Sequence, residues 1–200
     1  MTVGGVLLTG GSSRRLGVDK ATLVVHGQRL ADHAAEVLGA VCTQVVEVGP
    51  GVTHLPVCRE DPIGSGPLAG LVAGAAALGS AASDGVVLLA CDLPGVEVPL
   101  VRLVAEWPGR PTVIPLSDGE PQLVCARYGR AALEEAVGVL AAGGRSLRGL
   151  LARAEHDRID AATWGAVARL DAFADVDTPT DLARVRRGDD SDDHHDSDGR

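Results

Sequence analysis

The sequence predicts an α/β domain: a three-layer αβα sandwich around a twisted, mainly parallel (mixed) sheet. Three observations carry this expectation. An apolar run, Val3 to Leu8, ends in the glycine turn Gly10-Gly11. Apolar residues at helical spacing then lead to a second, β-branched run, which is the strand–loop–helix–strand start of a βαβ unit. A third apolar run, Val86 to Cys91, stops at a carboxylate, Asp92, as a central buried strand would at the ligand-binding edge of a sheet.

In chain order, Val3 to Leu8 is read as the first buried strand. The short apolar run Ala21 to Val25 closes on a turn at His26-Gly27. Leu30, Ala34, Val37 or Leu38, and Val41 form one face of a helix from about Arg29 to Val41. Gln44 to Val48 is bounded by Gly49-Pro50-Gly51 and reads as a strand. A helix of small residues runs from Leu68 to Leu78. Its Gly70 and Gly74 lower helix propensity by up to about 1 kcal/mol each relative to Ala, so close packing or a ligand is expected there. Helices follow over Val98 to Glu106, Arg130 to Ala141 and Ser146 to Ala154, and strands over Thr112 to Pro115 and towards Tyr128. The last helix opens at Asp177-Thr178-Pro179, with Thr178 or Asp177 as N-cap and Pro179 at its first position.

With 200 residues, one domain is expected, over residues 1–187. Residues 188–200 hold six Asp against one Arg and read as a disordered acidic tail. Apolar residues make up 46% of the chain but aromatics only 2%, so Val, Leu and Ala must build the core. Net charge is −9, and no broad basic patch is evident, which argues against a nucleic-acid partner. The four cysteines, Cys42, Cys58, Cys91 and Cys125, are widely spaced and read as free thiols in a reducing compartment. Neither a leader nor a long apolar run is visible, so no membrane association and a cytoplasmic location are expected.

The chemistry gathers in Leu8-Thr9-Gly10-Gly11-Ser12-Ser13-Arg14-Arg15-Leu16-Gly17-Val18-Asp19-Lys20. Adjacent glycines allow a sharp turn whose N–H groups can receive an anion, and Arg14, Arg15 and Lys20 can reach phosphate oxygens. Lys20 does not follow a glycine and precedes Ala21, so this is not a Walker A loop. The glycine spacing of a dinucleotide fingerprint is absent as well. The stretch resembles the Leu-Ala-Gly-Gly-x-Ser-x-Arg-Met-Gly-x-Asp-Lys signature of small nucleotidyltransferases, and among them the molybdenum cofactor guanylyltransferases. Thr9 replaces Ala and Leu16 replaces Met.

That resemblance implies the Rossmann-like nucleotidyltransferase fold and the transfer of GMP from GTP to a molybdopterin-type cofactor, with release of pyrophosphate. It implies nucleotide binding by Leu8, Thr9, Gly10, Gly11, Lys20, Asp61 and Asp92, with Arg15, Lys20 and Asp92 as the catalytic set. Asp61 precedes Pro62 in the loop before Gly66-Pro67-Leu68-Ala69-Gly70, where a carboxylate can accept from a guanine N1–H and amino group. Asp92 corresponds to the metal-binding Asp of the family's Cys-Asp-x-Pro motif. Asp175 and Asp177 stand where two amides are usual, and Asp177 is a second candidate ligand for Mg2+. The segment from Asp118 to Leu123 and the Arg145-Ser146-Leu147-Arg148 run resemble acceptor-binding stretches, although Leu123 replaces a usual Pro. Transient contact with other cofactor-biosynthesis or acceptor proteins is also implied. The rival readings are a molybdopterin cytidylyltransferase using CTP, another small-molecule guanylyltransferase, and a non-catalytic nucleotide-binding module.

Overall fold

The computed structural model describes residues 2–10 and 20–188. Gly11, Arg14 and Arg15 lie outside the described residues, as does the acidic tail expected over 188–200 except Gly188, which ends the last helix. The strands in chain order are β1 (Val3–Leu8), β2 (Val24–Val25), β3 (Gln28–Arg29), β4 (Val45–Val48), β5 (Val57–Cys58), β6 (Gly85–Ala90), β7 (Val113–Ser117), β8 (Glu120–Pro121), β9 (Cys125–Tyr128) and β10 (Asp157–Ile159). The helices are α1 (Leu30–Gly39), α2 (Pro67–Leu78), α3 (Val98–Ala105), α4 (Arg130–Ala141), α5 (Leu147–Leu151), α6 (Ala161–Trp164) and α7 (Pro179–Gly188).

The main sheet runs β10-β7-β9-β6-β1-β4-β5, with β8 beside β7. Strands β1, β4, β5 and β6 are mutually parallel, as is the β7–β10 pair, while β9 runs antiparallel to both its neighbours. The parallel half therefore delivers the ends of β1, β4, β5 and β6 to one edge. Each face of the sheet carries its own apolar layer. One packs Ala31, Ala34 and Leu38 of α1 and Leu100, Val101 and Val104 of α3. The other packs Leu68 and Leu71 of α2, Ala132 and Ala136 of α4, and Leu150 of α5. This is the expected three-layer αβα sandwich.

Close approach explains the glycines of α2. A Cβ on Gly74 would lie 2.5 Å from Val6 Cγ2, and one on Gly70 would lie 2.8 Å from Leu8 Cδ2. The helix thus rests directly on β1, and packing rather than a ligand accounts for both residues.

Several boundaries differ from the sequence reading. Residues Lys20–Thr22 form one 3-10 turn, and β2 and β3 make a small hairpin around His26-Gly27, both with positive φ (51° and 74°). The helix expected from Ser146 to Ala154 is shorter, Leu147–Leu151, with the Ser146 side chain accepting from the Gly149 N–H as its cap. Strands β5 and β10 and helix α6 were not expected; at two to four residues they carry too little periodicity to be read. The few aromatics do local work: Trp164 meets Phe173 edge-on, with ring centroids 5.0 Å apart, and donates from Nε1 to Leu116 O. That contact leads the chain back to the sheet edge just before Asp175.

Candidate active site

Lys20, Asp92 and Asp177 meet at the carboxyl edge of β1 and β6. Cys91 N–H donates to Leu8 O at 3.1 Å, which extends the β1–β6 pairing one step and sets Asp92 beside the exit of β1. Val176 N–H then donates to Asp92 O at 3.0 Å and pins residues 175–177 against the end of β6. Val176 is itself buried with Val25 and Leu30 in a small cluster joined by Leu182 and Val185, so α7 and the β2–β3 hairpin hold this segment from behind.

The cap of α7 leaves Asp177 available. Thr178 Oγ1 accepts from Asp181 N–H at 3.2 Å, and Asp181 Oδ2 accepts from Thr178 N–H at 2.9 Å, a reciprocal capping arrangement. Thr178, not Asp177, is therefore the N-cap. Lys20 Nζ donates to Asp92 Oδ2 at 2.9 Å and also to Asp177 Oδ1. Burial works against the Lys20 ammonium, but hydrogen bonds and charge from Asp177 and Asp92 outweigh it and raise its pKa above 10.5.

Asp175 completes the cluster, and sequence reasoning had not put it in the site. Its carboxyl is held above the ordinary carboxylate value by desolvation first, and then by the negative charge of Asp177 and Asp92. Two carboxylates, Asp92 and Asp177, thus hold the Lys20 ammonium, and Asp175 lies within reach of their charge.

Asp61 is exposed in the loop that follows β5, just before a cis bond to Pro62. It lies at the same sheet edge, but the structure shows no contact joining it to the Lys20–Asp92–Asp177 cluster. Arg148 pairs with Glu120 at 3.0 Å, and both side chains are largely exposed. Arg145 O lies 3.7 Å from where a Cβ of Gly66 would stand, so the Arg145 run borders the loop that opens α2.

The sequence model of the MobA-like NTP transferase domain matches residues 5–159, the span from within β1 to the end of β10 that holds both Lys20 and Asp92. The chain belongs to the MobA-like NTP transferase family. It is therefore a nucleotidyltransferase. A curated relative from Deinococcus radiodurans, named a probable molybdenum cofactor guanylyltransferase, is 36% identical, covering 92% of this chain and 95% of its own. A solved Archaeoglobus fulgidus protein titled molybdopterin-guanine dinucleotide biosynthesis protein A superposes with a TM-score of 0.79 at 22% identity, covering 94% and 99%. Rv0371c of Mycobacterium tuberculosis, solved in complex with manganese, gives 0.66 at 17% identity, covering 94% and 99%. The last two likenesses establish the nucleotidyltransferase fold.

A second residue missed at the sequence level is Glu47. It is fully buried in β4, and its carboxylate receives five donors. Thr9 Oγ1 (2.6 Å), Gly51 N (2.8 Å) and Val52 N (2.9 Å) donate to Oε1; Thr53 N (2.9 Å) and Thr53 Oγ1 (2.7 Å) donate to Oε2. Burial alone would push this carboxyl up, but the donors outweigh it and hold it at about 2 instead of 4.5. A depressed folded-state value stabilises the protein above the unfolded value and loses that contribution as the pH falls. The difference corresponds to about 3 kcal/mol, present above pH 4.5 and lost progressively as the pH falls towards about 2. Guanidinium unfolding of wild-type protein should weaken over that range, and Glu47→Gln should flatten the acid limb. An identical pH dependence in the variant would remove Glu47 from the account.

Thr9, the sequence-level candidate beside Gly10, donates from its hydroxyl to Glu47 Oε1 at 2.6 Å and from its N–H to Val48 O at 3.1 Å. Gly10, the next residue, is exposed.

Among the described residues, no helix is long and apolar enough to cross a membrane. Cys42 and Cys125 are buried free thiols, Cys58 is a half-buried one, and Cys91 is buried.

Proposed function

We propose that this nucleotidyltransferase is a molybdenum cofactor guanylyltransferase: it transfers GMP from GTP to a molybdopterin-type cofactor and releases pyrophosphate, with Mg2+ as cofactor. The observation that carries the reading is the convergence of Lys20, Asp92 and Asp177 at the carboxyl edge of the parallel strands. The name borne by the Deinococcus relative supports the guanine and pterin assignments.

The donor set fits a hard divalent cation. Asp92 and Asp177 present carboxylate oxygens to a shared positive charge, and Asp175 adds negative charge nearby. Mg2+ commonly takes one or two protein carboxylates and fills its remaining positions with phosphate oxygens and water. Asp92 and Asp177 would hold it, and it would supply charge neutralisation at the α-phosphate.

In the proposed reaction, a phosphate oxygen of the acceptor attacks the α-phosphorus of GTP in line. The bond from the α-phosphorus to the bridging oxygen breaks, and pyrophosphate carries that electron pair away. Gly10 and Gly11 line the phosphate turn, while Lys20 and Arg15 offset the charge growing on the leaving group. Asp61 reads the guanine edge. The protein's own part is positioning and charge, with no covalent intermediate.

Thermal unfolding with Mg2+ and each of GTP, CTP, ATP and UTP tests the donor. A ligand at 100 times its dissociation constant stabilises by about 2.7 kcal/mol, which in a domain of this size raises the melting temperature by roughly 5–10 °C. Stabilisation by GTP alone is expected. CTP alone would replace the guanine assignment with cytosine, and no shift with any nucleotide would overturn the proposal.

A further inference from the structure

The carboxylate of Glu47 joins two loops of the nucleotide edge that are far apart in sequence. On one side it takes the Thr9 hydroxyl, at the residue where the chain leaves β1 for the glycine turn. On the other it takes three donors from Val52 and Thr53 and one from Gly51, folding the loop after β4 around itself. The junction has no slack. Thr9 N–H is held by Val48 O, and a Cβ on Gly49 would lie 2.1 Å from Thr9 Oγ1 and 2.9 Å from Gly10 N. Only glycine at 49 lets the two loops approach this closely.

We propose that Glu47 is a positioning residue for nucleotide binding, acting through the Thr9 hydroxyl to set the direction in which Gly10 enters the phosphate turn. The role rests on the nucleotidyltransferase reading of this edge. The signature that this stretch resembles has Ala at the position of Thr9, so the hydroxyl is not a general requirement of such turns. Here the hydroxyl comes together with a buried carboxylate that accepts it. A carboxylate needed only to fold the loop after β4 already has four donors from residues 51–53. The fifth, from Thr9, is the one that reaches the phosphate turn.

Because the phosphate turn holds the nucleotide in ground and transition states alike, loosening it should weaken binding more than turnover. The test is calorimetric titration of the full chain with GTP and Mg2+, together with pyrophosphate release kinetics, for wild type, Thr9→Val, Thr9→Ser and Glu47→Gln. Thr9→Val keeps the side-chain shape and all four bonds to the 51–53 loop, so it isolates the fifth bond. It is expected to raise Kd and KM about tenfold while kcat changes by less than about threefold, and Thr9→Ser should restore wild-type values. Thr9→Val combined with Glu47→Gln should be no worse than the worse single variant, as for two members of one linkage. Wild-type Kd in Thr9→Val, or failure of Thr9→Ser to restore it, would overturn the positioning role and leave the proposed function standing. A wild-type protein that takes CTP in place of GTP changes only the base, and the same comparison is then read with CTP. A wild-type protein that binds no nucleoside triphosphate would overturn both.

Discussion

Asp92→Asn is expected to lose two or more orders of magnitude in turnover while melting within a few degrees of wild type. The substitution keeps the shape of the side chain and removes its charge. The local backbone does not depend on that charge, because Val176 N–H is received by the Asp92 carbonyl, not by its carboxylate. Lys20 also keeps a partner in Asp177. The Asp92 side chain is 24% exposed and that of Lys20 20%, so the lost ion pair is partly screened. Such a pair contributes about 1 kcal/mol or less, a change of roughly 2–4 °C in a domain of this size. The chemical step is another matter. Removing one fixed charge or donor from a site where charge develops costs about 10²–10³ in rate, and here the carboxylate also proposed to hold Mg2+ is lost. Steady-state pyrophosphate release at rising Mg2+ checks both terms. Turnover should stay low even at high Mg2+, and near-normal turnover in a variant with unchanged melting would exclude Asp92 from the catalytic set.

The elements that position Asp92 were legible because each carries a strong local signal. Val3–Leu8 and Gly85–Ala90 are continuous apolar runs of the kind that fill a parallel sheet, and α4 follows its helical period from Arg130 to Ala141 as expected. Strand β9 was expected as a strand, but its antiparallel direction was not, since direction follows from how the β7–β8 hairpin returns the chain and not from any residue in Cys125–Tyr128. Strands β5 and β10 escaped notice because they owe their existence to a neighbour: Glu47 N–H donates to Pro56 O, and Asp157 N–H to Thr112 O.

The site divides in the same way. Lys20 and Asp92 each sit in a short motif, so their types and spacing could be read. That Asp177 joins them across 157 positions depends on Val176 docking on Asp92, which no local pattern encodes. Glu47 is the instructive miss. A carboxylate in the run Val45-Val46-Glu47-Val48 breaks the apolar pattern of a buried strand, and such a break marks a place where burial has to be offset by specific partners. The partners are a hydroxyl at Thr9 and a turn after Gly49-Pro50, both visible in the sequence. Their meeting requires β1 and β4 to lie side by side.

Lys20→Ala should also lower turnover by two or more orders of magnitude, but with a different signature in metal dependence. The ammonium bridges Asp92 and Asp177, so it competes with any cation for the same oxygens. Removing it leaves Asp92 and Asp177 without the ammonium that bridges them, beside the charge of Asp175. The apparent Mg2+ requirement should therefore fall in Lys20→Ala while kcat collapses; Asp92→Asn should move both in the unfavourable direction. Lys20→Met, which keeps most of the aliphatic stem, should behave as Lys20→Ala does, because charge and not packing is at issue. The assignment also sets the expected pH dependence. The Lys20 pKa is raised above 10.5, so the ammonium and the stability it lends are present at every pH below that value and are lost only as the pH rises through the folded-state value. Turnover should show no alkaline limb from Lys20 near neutrality. A variant with lower Mg2+ requirement and full kcat would mean that Lys20 merely fills the gap between two carboxylates. Collapse of kcat together with the lower requirement would place the lysine charge on the transferring phosphates, where the leaving pyrophosphate needs it.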